Sequence, residues 1–242
     1  KTKNPYQNRI HTIPTNIITG FLGAGKTSAI LHLLKSKPPN EHWAVLVNEF
    51  GEIGVDGSLF QGQYSEEQGV FIREVPGGCM CCATGLPMKV ALNQLLGKTK
   101  PDRLLIEPTG LGHPKEVLQV LSSIHYRGLL SLHKTLTLVD ARKLSDSRYV
   151  SHETFNQQIA IADTVIGNKL DLYKNEDKGR LFAYIKHQGK PNANVFLTQH
   201  GEIDLSILQG ESTCHPSHSH SHSHHHDKTE LLEPELPIPE CG

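Results

Sequence analysis

Gly20, Gly23, Gly25, Lys26 and Thr27 stand at the spacing G-x-x-x-x-G-K-[ST], a pattern suited to gripping a polyphosphate. The glycines let the backbone wrap closely and aim N–H groups at a β-phosphate, and a helix opening at Lys26 adds a favourable dipole. Lys26 would neutralise β- and γ-phosphate oxygens and the Thr27 hydroxyl would ligate Mg²⁺, with Ala24 and Ser28 completing the contact stretch. Hydrolysis also requires an acid for the Mg²⁺ shell and a sensor for the γ-phosphate. Glu107 in "RLLIEPTGLG" and Asp140 in "TLTLVDAR" both end apolar runs, but only Glu107 is followed three residues later by a glycine. Gly110 can therefore offer its backbone N–H to a γ-phosphate, which leaves Asp140 as the cap of a turn or helix. The acidic, glycine-rich "VNEFGEIGVDG" carries Glu49, Glu52 and Asp56, of which Asp56 is the candidate for the attacking water or the Mg²⁺ shell. Lys26, Asp56 and Glu107 make up the expected catalytic set.

Asn168-Lys169-Leu170-Asp171 suits guanine. The Asp171 carboxylate can accept from guanine N1–H and N2–H₂, donors that adenine does not present there. Asn168 can hold the loop and reach the base edge, while the Lys169 stem covers the ring face. GTP is expected over ATP.

"GGCMCC" places Cys79, Cys81 and Cys82 within six residues of a chain with five cysteines. Cys79 and Cys82 have the C-x-x-C spacing of zinc sites and Cys81 can add a third sulfur, leaving one coordination position open. Redox chemistry and inert structural thiols are the alternatives. The first normally opens a helix in a fold without a phosphate loop, and the second sits poorly beside Gly77-Gly78. Farther on, His215, His218, His220, His222, His224, His225 and His226 alternate largely with serine, a composition suited to weak, unselective metal collection.

These groups need a scaffold that brings strand ends together. "NIIT" (16–19), "WAVLVN" (43–48), "VFIREV" (70–75), "RLLIE" (103–107), "TLTLVD" (135–140), "TVIGN" (164–168) and "NVFLT" (194–198) read as strands. Helical stretches are expected over 27–36, 86–97, 114–124 and 176–188. Several strands are apolar throughout, as parallel strands covered on both faces should be. The alternation predicts an α/β, doubly wound, mostly parallel sheet of the P-loop NTPase kind. At 242 residues one core is expected, over roughly 10–208. Residues 209–242 hold seven of the sixteen histidines and four of the fourteen prolines and should form a flexible tail. A formal charge of -1 gives no basic field for nucleic acid or a membrane surface, and no apolar run approaches a span. The polar N-terminus and clustered, odd-numbered cysteines predict a reducing, cytoplasmic setting, in a chain whose first residue, not Met, suggests processing or a partial sequence.

"GFLGAGKT", "VNEFGEIGVD", "GGCMCC", "IEPTGLGHP", "NKLDL" and "QHGEID", in this order, resemble the CobW-related P-loop GTPases. That group is kin to the nickel-insertion GTPases of urease and hydrogenase maturation. "WAVLVNEFGEIGVDG" and "PDRLLIEPTGLGHPK" resemble in particular its YeiR-type zinc-binding GTPases, and the likeness covers about residues 15–208. It implies a GTP-hydrolysing zinc metallochaperone or zinc-homeostasis factor that binds GTP, GDP, magnesium and zinc, with metal on Cys79, Cys81 and Cys82. It also implies a client metalloprotein, a possible second protomer, and a C-terminal β-containing domain beyond the histidine-rich linker, before which this sequence stops. Val47 stands where some relatives carry a metal-contacting glutamate, which leaves Glu52 as the acidic candidate. A zinc store or sensor using GTP only as a conformational switch, and a small-molecule kinase, are the rival functions.

Overall fold

The computed structural model describes residues 12–48, 66–75 and 85–213. Its strands are β1 (Ile13–Gly20), β2 (Trp43–Val47), β3 (Val70–Glu74), β4 (Arg103–Glu107), β5 (Leu130–Leu132), β6 (Leu136–Asp140), β7 (Thr164–Asn168) and β8 (Asn194–Leu197). The helices are α1 (Lys26–Lys35), α2 (Leu86–Thr99), α3 (Pro114–Leu121), the short α4 (Ser147–Val150), α5 (Glu153–Ala160) and α6 (Asn175–Gln188). The strands form one sheet in the order β3-β2-β4-β1-β6-β7-β8, with β5 against the start of β1, and every named pair is parallel. This is the expected P-loop NTPase-like architecture. β2, β4, β6 and β7 are buried along their whole length, which explains the apolar and β-branched residues that fill their centres.

Right-handed crossovers decide which helix lies where. α2 and α3 cover Ile17, Ala44, Leu46, Leu104 and Ile106 on one face. On the same face, α5 and α6 cover Val139 and Val165. α1 turns Ala29, Ile30, Leu33 and Leu34 onto the opposite face, against Ile18, Val45, Leu105 and Leu138.

Several features differ from the sequence expectation, among them the short α4 and the start of β1 at Ile13. The helix begun at Pro114 ends at Leu121, and the Ser123 and Tyr126 amides then close turns on Val120 and Ser123. β5 was not expected because three residues are too few to carry a strand pattern of their own; it shares one edge of β1 with β6. Between them the register slips by one residue, from Ile13↔Leu130 to Ile18↔Leu136. α5 was not expected because "ETFNQQIA" is largely polar, yet Phe155, Gln158 and Ile159 are all fully buried.

After β8 the chain returns along the α1 face. Gly201 packs so closely on α1 that a Cβ there would lie 2.7 Å from the Ala29 nitrogen. Ile203 and Leu208 are buried with α1, and the Leu208 carbonyl accepts from Asn16 Nδ2 at 3.0 Å. Hydrogen bonding continues through Glu211, which bridges His133, and Ser212, whose amide donates to the Leu132 carbonyl. At the N-terminal edge of β7 the Asp163 carboxylate closes the segment. It accepts from Lys190 Nζ at 2.7 Å, the Ser212 hydroxyl at 2.9 Å, and the Thr213 amide and hydroxyl at 3.1 and 2.6 Å. Burial would raise this carboxyl, but the hydrogen bonds from Lys190, Thr213 and the Thr135 amide outweigh it and hold it below the ordinary range.

Candidate functional site

Gly20, Glu107, Asp140 and Asn168 end four of the parallel strands, so the groups found in the sequence gather at one edge of the sheet. Ligands of open α/β sheets bind at this carboxyl edge, where the strand order reverses. The loop leaving β1 turns sharply, with the Ala24 amide donating to the Phe21 carbonyl at 3.1 Å. Gly25 then starts α1 in the left-handed region, at φ 98°. Lys26 is buried, Thr27 half-buried, and Gly23 and Ser28 exposed. Phe21 anchors the loop from below, its ring 4.9 Å from Tyr149 and 4.8 Å from His152, both edge-on.

The Thr27 hydroxyl donates to Glu107 Oε1 at 3.2 Å, joining the phosphate loop to the end of β4. A hydroxyl and a carboxylate so close are hard oxygen donors of the kind Mg²⁺ takes, one directly and one through water. Beyond Glu107 the Gly112 amide donates to the Thr109 carbonyl at 3.0 Å, closing a four-residue turn with Gly110 inside it. The Gly110 carbonyl accepts from Gln158 Nε2 at 3.0 Å.

Asn168 is buried and spends both ends of its amide on the scaffold. Nδ2 donates to the Ala24 carbonyl at 3.0 Å, and Oδ1 accepts from the Gly201 amide at 3.1 Å. Lys169 adopts a left-handed backbone with its Nζ 3.5 Å from Asp140 Oδ2. Asp140 caps the following turn by accepting from the Arg142 amide and pairs with the Arg142 guanidinium at 2.7 Å. That is the structural role its position implied. Burial would raise the Asp140 carboxyl, but Arg142 and Lys169 together hold it low. Asp171 is exposed in a 3-10 turn, its carboxylate open to a base from solution.

Lys26, Thr27, Glu107, Gly110 and Asn168 thus share one edge. Glu49, Glu52, Asp56, Cys79, Cys81, Cys82 and His215 to His226 lie outside the described residues. Their entry points are set, however: β2 and β3 are neighbours with Val47 buried at the end of β2, and the Val75 amide donates to the Val47 carbonyl at 2.9 Å. Among the described residues, no group of three His, Cys, Asp or Glu side chains is placed to hold a metal. No described helix is long and apolar enough to cross a membrane.

Sequence reading missed three contributors. Phe21 passes for a variable loop position, Gln158 for a surface residue of a polar stretch, and Gly201 only for part of a resemblance. The sole available signal for each was adjacency: Phe21 within the phosphate loop, Gly201 after the last strand, and Gln158 at i+3 from Phe155.

The chain is similar to the zinc chaperone YeiR of Escherichia coli (strain K12), 49% identical over 194 residues that cover 80% of this chain and 57% of that one. The zinc chaperone YjiA of Escherichia coli (strain K12) is 32% identical over 208 residues, covering 82% and 61%. The crystal structure of Zn(II)-bound YjiA GTPase from E. coli superposes with a TM-score of 0.59 at 27% identity, again covering 82% and 61%. HypB from Helicobacter pylori in complex with nickel shares the fold, with a TM-score of 0.53 at 18% identity over 82% of this chain and 83% of that one. This chain spans about three-fifths of the length of the curated relatives it matches. The nucleotide-binding domain of CobW/HypB/UreG matches residues 14–196, so the sheet edge that collects Lys26, Thr27, Glu107 and Asn168 is that of a CobW/HypB/UreG family member.

Proposed function

We propose that this chain is the GTP-binding, GTP-hydrolysing part of a zinc chaperone, and that its nucleotide state gates a thiolate site on Cys79, Cys81 and Cys82. The observation that carries the reading is the Thr27–Glu107 hydrogen bond, which couples the phosphate loop to the turn containing Gly110. The names of its relatives supply the zinc and the GTP.

In this reading the backbone of Gly20 to Thr27 and the Lys26 ammonium hold the β- and γ-phosphates. Thr27 and Glu107 would hold magnesium, which would supply charge neutralisation. Asp56 orients a water toward the γ-phosphorus. Its oxygen forms the new P–O bond as the bond to the bridging β-oxygen breaks, and its proton leaves with the products, GDP and inorganic phosphate. Asp171 selects guanine, while Asn168 holds the loop that carries it. Zinc is cargo. It rests on the three thiolates and passes to a client metalloprotein when the loops from β2 and β4 change with the γ-phosphate. His218, His220, His222, His224, His225 and His226 collect zinc weakly beside that site.

The test is zinc content and GTP turnover on one preparation, with the three cysteines intact or replaced by serine. Retained turnover with loss of the tightest zinc is expected from the triple variant. A tight zinc that survives the triple substitution overturns the thiolate assignment, and phosphate release no faster than in Lys26→Ala overturns the hydrolase.

A further inference from the structure

We propose that Gln158 is a positioning residue for the γ-phosphate: from α5 it fixes the turn Thr109–Gly112 in the conformation that presents the Gly110 amide. The inference rests on the function proposed above, in which that amide meets the γ-phosphate.

Gln158 is fully buried, between two apolar positions of α5, Phe155 and Ile159. Its Nε2 donates to the Gly110 carbonyl at 3.0 Å. That carbonyl belongs to the central peptide of the turn closed by the Gly112 amide on the Thr109 carbonyl. The central peptide of a four-residue turn can face either way, and its facing sets the turn type and the direction of the Leu111 N–H that it carries, while the Gly110 amide lies in the preceding peptide and is placed by the pinned Gly110 itself. Holding the carbonyl from inside the protein selects one facing and, across the trans peptide, turns the Leu111 N–H away from α5.

The anchor is itself anchored. The Gln158 backbone carbonyl accepts from Thr137 Oγ1 at 2.8 Å, on the strand whose Leu138 pairs with Gly20. Six residues earlier, at the N-cap of α5, His152 packs its ring on Phe21 of the phosphate loop. Gln157, next in the helix, meets His113 Nδ1 at 3.0 Å, where α3 begins. The turn around Gly110 is thus held at a set position relative to the phosphate loop by α5 and its immediate contacts.

The amide is retained for its donor. Gln158 Oε1 has no hydrogen-bond partner among the described residues, an unfavourable burial that an apolar side chain of like size would avoid. Reversing the amide would set Oε1 against the Gly110 carbonyl, two acceptors facing each other. Packing alone would favour Met or Leu here; a hydrogen bond to the turn requires Gln.

The test compares equilibrium affinities for fluorescent GDP and a fluorescent non-hydrolysable GTP analogue, with Mg²⁺, in the full chain, Gln158→Met, Gln158→Asn and Gly110→Ala. In Gln158→Met, GDP affinity should stay within about twofold while the analogue-to-GDP ratio falls at least about fivefold, the scale of an ordinary coupling between sites. Asn, one methylene too short for the Gly110 carbonyl, should behave alike, and Gly110→Ala should lower the ratio through the turn itself. A merely architectural side chain would weaken both nucleotides equally. A ratio lowered by Gly110→Ala but untouched by either Gln158 variant overturns the inference and leaves the proposed function standing. A ratio unmoved in all three variants overturns the γ-phosphate role of the turn. Loss of GDP binding in both Gln158 variants makes the residue architectural and equally overturns the proposal.

Discussion

The Asn168 side-chain amide occupies the space that a side chain on Gly25 would need: a Cβ built on Gly25 would run into Asn168 Nδ2. Residues 143 positions apart are thus fitted as one piece, the end of β7 bearing on the phosphate loop where α1 starts.

Asn168→Ala removes the donor to Ala24 and the acceptor for Gly201, leaving two buried backbone groups unpaired. An unsatisfied buried group costs about 1–3 kcal/mol, so a loss of roughly 2–6 kcal/mol is expected in urea denaturation. Nucleotide affinity should fall together with stability. Native stability in this variant would show that neither contact matters.

Asp171→Asn should leave stability within about 0.5 kcal/mol, because the side chain is exposed. Its effect belongs to the base. GTP should bind more weakly and xanthosine triphosphate more tightly, since the amide can donate where the carboxylate could only accept. Unchanged GTP affinity would remove Asp171 from the guanine site.

Glu107→Gln keeps an oxygen that can accept from the Thr27 hydroxyl, so the fold and GDP binding should persist. The charge facing magnesium is lost. Phosphate release should drop on the order of 100-fold, the scale of removing one electrostatic contributor to a transition state. A rate restored to the parent value by added Mg²⁺ would place Glu107 in metal affinity rather than in the reaction.

Lys190→Met strands the buried Asp163 carboxylate and should cost about 3–5 kcal/mol near neutral pH. The pH dependence follows from the depressed Asp163 carboxyl. The folded chain keeps it ionised to lower pH than the unfolded chain does, so its stabilisation is complete above about pH 3.9 and lost as pH falls through the folded value. The gap between parent and variant should therefore narrow on acidification below pH 4. A gap independent of pH would mean that Lys190 acts through packing alone.

Removing residues 214–242 separates the two proposed zinc reservoirs without disturbing Ser212 or Thr213, which the body holds. Total zinc should fall while the tightest ion stays. If the tightest ion leaves with the histidines, the tract is the principal site.

The phosphate loop and the strand-end positions of Glu107, Asp140 and Asn168 could be read from the sequence because backbone geometry dictates their residue types. Gly25 must adopt φ 98°, and Glu107 and Asn168 must end buried strands. α5 could not be read, because its buried face includes Thr154 and Gln158 and breaks the apolar period on which helix recognition depends. β5 escaped for a related reason: three residues joined to β1 only through long-range pairing carry no local signal. The end of β7 at Asn168 could be read but the partners of its side chain could not, since neither Ala24 nor Gly201 advertises a free backbone group.

The Asp163 grip on Ser212 and Thr213 also has a mechanical meaning. The stretch from Gly201 to Thr213 is fastened at the end of β7 by Asn168 and at the opposite edge of the sheet by a buried ion pair. Tension applied to the chain from Cys214 onward meets the ion pair first and reaches Asn168 only after that pair gives way. The arrangement works as a cable clamp: a tug from the residues that follow Thr213 stops at the sheet's far edge, and the loop after β7 keeps its shape.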